Sequence, residues 1–303
     1  MLLFLRNLLN IEGMIDDCSL VILAAGMGSR FGGDKQIALV SRLHWPLLRF
    51  TLFDAQLANI RHVVIVTRNN LLPFFKQHIF PNFKNIRFDT VCQEDVAPTL
   101  PSQRTKPWGT GHAALCAQNL AHERFIVINA DDFYGRQAIA QAAEFLKNKS
   151  SGEYGCVGYP IINTLSRNGT VSRGIIQADG GYVQSIHEHV KVQLLEDGEI
   201  HAIEQRSQKS VIIPRNQPAS LNLFALDRSV FYVLREKFQA FLNSGQDLSS
   251  AEFPLPSSIT APDALQQHAM KLIPTTDRWI GLTYANDLPD AEEQLNQLVP
   301  TYI

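Results

Sequence analysis

Apolar and polar positions change rhythm about halfway along the chain. In the first half, short apolar runs alternate with segments whose apolar residues recur at helical spacing. Residues 20–24 read as a buried strand, and residues 45–59 as a helix with Leu47, Leu48, Leu52, Phe53 and Leu57 near one face. His62–Thr67 (HVVIVT) reads as a β-branched strand, residues 71–79 as a helix, and Arg87–Cys92 as another strand. Residues 111–122 are alanine-rich and helical, residues 125–129 form an apolar strand ending in Ala130-Asp131-Asp132, and Arg136–Asn148 is helical. Alternating strands and helices predict an α/β fold with a doubly wound, mostly parallel, Rossmann-like sheet. In such sheets ligands sit at the carboxyl ends of the strands.

From about Gly155 the helical rhythm stops. Short strand-like runs (CVGYPI, GIIQAD, YVQSIHEH, VQLLED, EIHAIEQ, VIIP) are separated by turn residues, including Asp179-Gly180 and Asp197-Gly198. They predict antiparallel hairpins. Helical patterns return at Ser229–Leu242, residues 262–270 and Leu288–Leu298. With no repeat and no interdomain linker, a single α/β core elaborated by a β-rich lobe fits the pattern.

Composition narrows the class. At 303 residues with 45% hydrophobic and 18% charged positions, the chain is that of a folded protein of one large domain. A formal charge of −2 gives no basic coat, so neither nucleic acid nor a membrane surface is expected as a partner, and any anion site must be built locally. Cys18, Cys92, Cys116 and Cys156 form no CxxC pair, which favours reduced cytoplasmic thiols over disulfides or a zinc site. The N-terminal MLLFLRNLLN is too short to span a bilayer and lacks a small-residue cleavage site. Residues 1–14 are expected to be an extension or a packed helix ahead of a domain covering 15–300. That domain divides into halves at 15–150 and 151–300.

The most concentrated chemistry follows the first strand, in Leu23-Ala24-Ala25-Gly26-Met27-Gly28-Ser29-Arg30-Phe31-Gly32-Gly33-Asp34-Lys35-Gln36. A glycine-rich turn after a strand lets backbone N–H groups approach phosphate oxygens. The dinucleotide fingerprint fails here, because Phe31 stands where its third glycine belongs, and the P-loop spacing fails as well. What remains is a loop with two cations, Arg30 and Lys35, spaced to reach both sides of a triphosphate.

LAAGMGSRF…DKQ resembles the signature of the sugar-1-phosphate nucleotidyltransferases, which make NDP-sugars from an NTP and a sugar 1-phosphate. Further segments agree in order. They are Pro107-Trp108-Gly109-Thr110-Gly111-His112-Ala113, Ile128-Asn129-Ala130-Asp131-Asp132-Phe133-Tyr134-Gly135, Arg173-Gly174-Ile175-Ile176, Ile186-His187-Glu188-His189, Ser220-Leu221-Asn222-Leu223-Phe224 and Trp279-Ile280-Gly281-Leu282. The resemblance implies the nucleotidyltransferase type of α/β fold, with residues 15–150 as a nucleotide-binding half and residues 151–300 as a β-rich sugar-binding half.

It also implies roles. Arg30 and Lys35 would neutralise charge on the reacting phosphates. Leu23, Ala24, Ala25, Gly26, Gly28, Gly109 and Thr110 would line the nucleotide. The family's base-reading glutamine lies five residues before the glycine that matches Gly109. Arg104 stands at that position and Gln103 beside it, which leaves the base open. Gly174, Glu188 and Asn222 would touch the sugar. Mg²⁺ is the implied cofactor, with Asp131 as its ligand. Where relatives carry a second carboxylate this chain has Gly281, so Asp277 and Asp287 are the substitutes. For Asp131 and Asp287, capping a helix is the alternative. The expected reaction is nucleotidyl transfer from an NTP, with UTP favoured by the GTGHA segment. A CTP-dependent enzyme acting on an alcohol phosphate such as phosphocholine, and a non-catalytic nucleotide sensor, are the competing readings.

Overall fold

The computed structural model describes residues 18–26, 35–98, 104 and 106–302; the expected extension at residues 1–14 lies outside them. Fifteen strands occur among the described residues: β1 (Cys18–Leu23), β2 (Leu39–Val40), β3 (Trp45–Pro46), β4 (His62–Thr67), β5 (Arg87–Cys92), β6 (Arg124–Asn129), β7 (Asp132–Phe133), β8 (Tyr154–Pro160), β9 (Val171–Asp179), β10 (Tyr182–Leu194), β11 (Ile200–Glu204), β12 (Ser210–Ile213), β13 (Pro218–Asp227), β14 (Met270–Pro274) and β15 (Ile280–Gly281). The principal helices are α1 (Leu47–Leu57), α2 (Thr110–Cys116), α3 (Arg136–Asn148), α4 (Ser229–Leu242), α5 (Leu255–Ile259), α6 (Pro262–Gln267) and α7 (Leu288–Leu298).

One large sheet runs β12-β11-β10-β14-β8-β13-β6-β1-β4-β5, with β9 bridging β10 and β13. The expected mostly parallel sheet holds only for the β6-β1-β4-β5 half and for β8 beside β14. Every other ladder of this sheet is antiparallel, so the sheet is mixed. The cause is connectivity. A parallel pair needs a crossover of a dozen or more residues, normally a helix. Between β8 and β13 the chain supplies only the short 3₁₀ turn Ile161–Thr164 and hairpin turns.

In the parallel half β1, β4 and β6 are buried on both faces, which is why β4 reads as an unbroken apolar run, whereas β5 at the edge is mostly half-buried. Strand alternation divides the core. Leu20 and Ile22 pack with α1 and α3 on one face, while Val21 and Leu23 pack with α2 and α4 on the other. Helices thus cover both faces of the parallel half.

Several element ends differ from expectation. The helix expected from residue 45 begins at Leu47, because Pro46 holds Trp45 extended and the two join a ladder with Leu39–Val40. It ends in a Schellman motif. Asn59 sits at φ 64 with its N–H on the Gln56 carbonyl, and the Ile60 N–H reaches the Ala55 carbonyl. Residues 71–79 form a helical turn and a π-turn rather than one regular helix. The 111–122 helix spans only Thr110–Cys116, and the 262–270 helix stops at Gln267, after which Met270–Pro274 enters the sheet.

The two halves interlock. β13, from the second half, lies between β6 and β8. Ile280, Leu282, Ala291, Leu295 and Tyr302 pack around Phe50 and Phe133 of the first half.

Candidate active site

The ends of β1 and β6 lie side by side, with Leu23 in register with Asn129. The Ala130 N–H donates to the Leu23 carbonyl at 3.0 Å, and the Ala24 N–H donates to the Val66 carbonyl at 2.7 Å. Leu23, Ala24 and Ala25 are buried, so the strand end from which the glycine loop leaves is held on both sides. The Gln36 amide donates to the Gly26 carbonyl at 2.7 Å, and its own buried carbonyl oxygen has no partner among the described residues. Gln36 therefore fixes the start of the loop, a role the sequence reading did not assign. Arg30 and Gly28 lie outside the described residues. For Lys35 the backbone is described, in the turn Lys35–Ile37, and the side chain is not.

Gly109 stands at φ 102 immediately before α2, and a Cβ there would lie 2.8 Å from the Phe253 carbonyl oxygen. Only glycine suits both conditions. The Phe253 N–H donates to the Trp108 carbonyl, and the Gly111 N–H donates to the Phe253 carbonyl. The Thr110 hydroxyl oxygen accepts the Leu255 N–H at 2.9 Å. Arg104 is committed to this docking. It stacks on Trp108 at 4.0 Å and donates to the carbonyls of Leu248, Ala251 and Pro107. Such a guanidinium staples a loop and is not free to read a base; Gln103 lies outside the described residues.

The amide next to Gly109 is instead that of Gln93, directly after β5. Its nitrogen lies 3.5 Å from the Gly109 carbonyl and 3.0 Å from Nδ1 of His112. Burial pushes the His112 ring down to about 4, so it is neutral and Nδ1 accepts from the amide. A rule that ligands sit at strand ends points to Gln93; the five-residue spacing did not, because sixteen positions separate it from Gly109.

Of the expected carboxylates, Asp131 occupies the turn between β6 and β7 and is half-buried. Asp132 turns inward and accepts from the Asn129 amide at 2.9 Å and the Tyr134 hydroxyl at 3.2 Å. Gly281 faces Asp132 across the β7–β15 ladder. The two substitutes are occupied elsewhere. Asp277 Oδ2 accepts the Ala138 N–H at 2.9 Å and caps α3. Asp287 is buried, and it accepts from Ser166 and Asn168 on one oxygen and from the Thr283 and Tyr284 N–H groups on the other. It ties the 166–168 loop to the 283–287 turn and makes no side-chain cap on α7. No group of three His, Cys, Asp or Glu able to hold a metal occurs among the described residues. The half-buried carboxylate of Asp131 is of a kind that suits a hard ion such as Mg²⁺, which takes one or two carboxylates and completes its shell with water and phosphate oxygens.

Of the residues expected at the sugar, Gly174 in β9 faces Glu188 across β10 and Ser220 across β13. A Cβ at Gly174 would meet Ile186 at 2.8 Å. Glu188 is exposed, and by alternation it lies on the other face of β10 from His187 and His189, which line an open groove with Glu204 and Arg206. Asn222 sits at φ 63 in a register shift of β13, with its amide 3.4 Å from the Asn129 carbonyl oxygen. The structure thus brings Leu23–Gly26, Asp131 and Asn222 to one strand-end region, and it leaves Asp277 and Asp287 in bonds of their own.

Residues 20–151 match the model of the MobA-like NTP transferase domain. No curated protein sequence matches the chain. Among solved structures, a Bacillus anthracis protein described as a glucose-1-phosphate thymidylyltransferase, in complex with a sucrose, superposes with a TM-score of 0.62 at 12% identity, covering 92% of this chain and 95% of its own. The inositol-1-phosphate CTP transferase of T. maritima superposes with a TM-score of 0.61 at 10% identity, covering 95% and 96%. No helix among the described residues is long and apolar enough to cross a membrane. Residues 20–151 are thus similar to the MobA-like NTP transferase domain, and the chain as a whole shares the fold of these two solved structures.

Proposed function

We propose that the protein transfers a nucleotidyl group from an NTP to a sugar 1-phosphate. A phosphate oxygen of the acceptor bonds to the α-phosphorus, the bond from that phosphorus to the β-phosphate bridge breaks, and pyrophosphate leaves. The observation that carries this reading is the in-register pairing of Leu23 with Asn129, which sets Leu23–Gly26, the start of the glycine-rich stretch, beside the Asp131 turn. Two polyanions repel, and an ionised phosphate needs no general base, so catalysis reduces to positioning and charge neutralisation. Arg30 and Lys35 are assigned to the phosphates, Gln93 and Thr110 to the nucleoside side, and Asn222 and Glu188 to the acceptor. Asp131 would hold Mg²⁺, which when bound would neutralise phosphate charge during the displacement.

UTP remains the favoured nucleotide on the GTGHA resemblance. A second reading, CTP with an alcohol phosphate, gains from the inositol-1-phosphate CTP transferase as a structural neighbour. One panel assay decides between them. Pyrophosphate release is measured for each NTP against several sugar 1-phosphates, inositol 1-phosphate and phosphocholine, with Mg²⁺ present. Release with a sugar 1-phosphate is the expected result. Release only with CTP and an alcohol phosphate selects the second reading, and silence across the panel leaves the nucleotide sensor.

A further inference from the structure

The turn carrying Asp131 and the bulge carrying Asn222 belong to different strands, β6 and β13, yet a ring of polar contacts joins them. The Asn129 N–H donates to the Tyr134 hydroxyl oxygen at 2.9 Å. That hydroxyl donates toward the Leu221 carbonyl at 2.9 Å and the Asp132 carboxylate at 3.2 Å. The Asn129 amide donates to the same Asp132 oxygen at 2.9 Å, and its carbonyl oxygen accepts from Asn222 at 3.4 Å. Tyr134 is fully buried, in the core cluster that also holds Ile128, Leu221 and Leu223.

We propose that Tyr134, together with Asn129, is a positioning residue that fixes the distance between the Asp131 turn and Asn222, so that the metal side and the acceptor side of the site keep one register. The inference rests on the functional reading above. Three observations support it. The phenol reaches both strands at once, through the backbone of Asn129 and of Leu221. Asn222 is in the left-handed region, which asparagine tolerates better than most side chains, and it directly follows Leu221, whose carbonyl accepts the phenol. Asp132, adjacent to Asp131, is held by both ring members, so the peptide between the two aspartates inherits their geometry.

Burial drives the Tyr134 hydroxyl well above its ordinary range, so it stays protonated and remains a donor. The Tyr134 carbonyl accepts the Tyr159 hydroxyl at 2.8 Å, a bond that a change of side chain leaves in place. Tyr134→Phe therefore removes the hydroxyl alone, and Asn129→Ala removes only the side-chain bridge.

The test is steady-state kinetics of the full chain, on the substrate pair found by the panel assay, with thermal melting alongside. Removing a group that orients a ligand-holding residue typically costs about 10–100-fold. A fall of that size in kcat for both variants, with the KM for the NTP near wild type and both proteins folded at the assay temperature, is the expected result. Wild-type kcat in either folded variant overturns the proposal, as does a kcat loss that tracks unfolding. Should Tyr134→Phe fail to fold, Asn129→Ala decides alone. A wild-type chain that releases no pyrophosphate defeats the functional reading and this inference together, whereas an active wild type with unaffected variants defeats only this one.

Discussion

The Asp287 carboxylate accepts four donors in a buried position, and Asp131 stands half-buried on a turn at the end of β6. The two residues should respond to substitution in opposite ways. Asp287→Ala strands several buried donors and should cost about 2–4 kcal/mol of stability, read from the urea midpoint, with turnover per folded molecule retained. Asp131→Asn keeps the shape of the side chain; its melting temperature should stay near wild type while turnover is lost. Loss of turnover without destabilisation in Asp287→Ala would restore Asp287 as a metal ligand. From the sequence the two aspartates could not be separated this far. Each precedes or follows an apolar strand, and what tells them apart is the loop at residues 166–168 reaching across 119 positions to Asp287, visible only once folded.

At the scale of elements, Gly109 links α2 to α5 through Phe253. Gly109→Ala would force a side chain to φ 102 and against the Phe253 backbone. The expected outcome is a raised KM for the NTP and a loss of about 1–3 kcal/mol in stability. Gly198→Ala is the matching control, because nothing lies within 4 Å of its added Cβ and only its φ of 84 is unfavourable. It should leave the KM unchanged. Elements with one clear pattern, such as β4, α3, α4 and α7, are legible because burial on a fixed face or on both faces writes itself into the residue pattern. β13 was not read as a strand: both of its faces are largely buried and a bulge at Asn222 breaks its register. Of β14 only Met270 falls in the helix that the pattern predicts, and residues 271–274 carry no signal, since a strand of five residues beside β8 has no pattern of its own.

For the molecule as a whole, the C-terminal segment is fastened by Asp54. This carboxylate, 1% exposed, accepts the Tyr302 hydroxyl at 2.7 Å and Arg136 Nε at 3.0 Å. Burial raises it from 3.8 to about 6, against the opposing pull of those two donors, and Asp277 adds a smaller upward push. With the folded value above the unfolded one, the protonated form is favoured by folding. The stabilisation is then full below about pH 4 and is lost as pH rises through 6, a change on the order of 2–3 kcal/mol. Urea denaturation at pH 4 and pH 7 should show this decline in wild type and its absence in Asp54→Asn. Equal pH dependence in both proteins would contradict the assignment.

The placement of β13 between β6 and β8 has a practical consequence for anyone dissecting this protein. The matched family region stops at residue 151, yet the partner that completes the flank of β6 arrives only with Pro218–Asp227. A gene truncated after 151 would encode a sheet whose β6 border offers bare amides and carbonyls to any passing chain, a template for self-association. Such a product should emerge from expression as inclusion bodies rather than as a free-standing nucleotide-binding module.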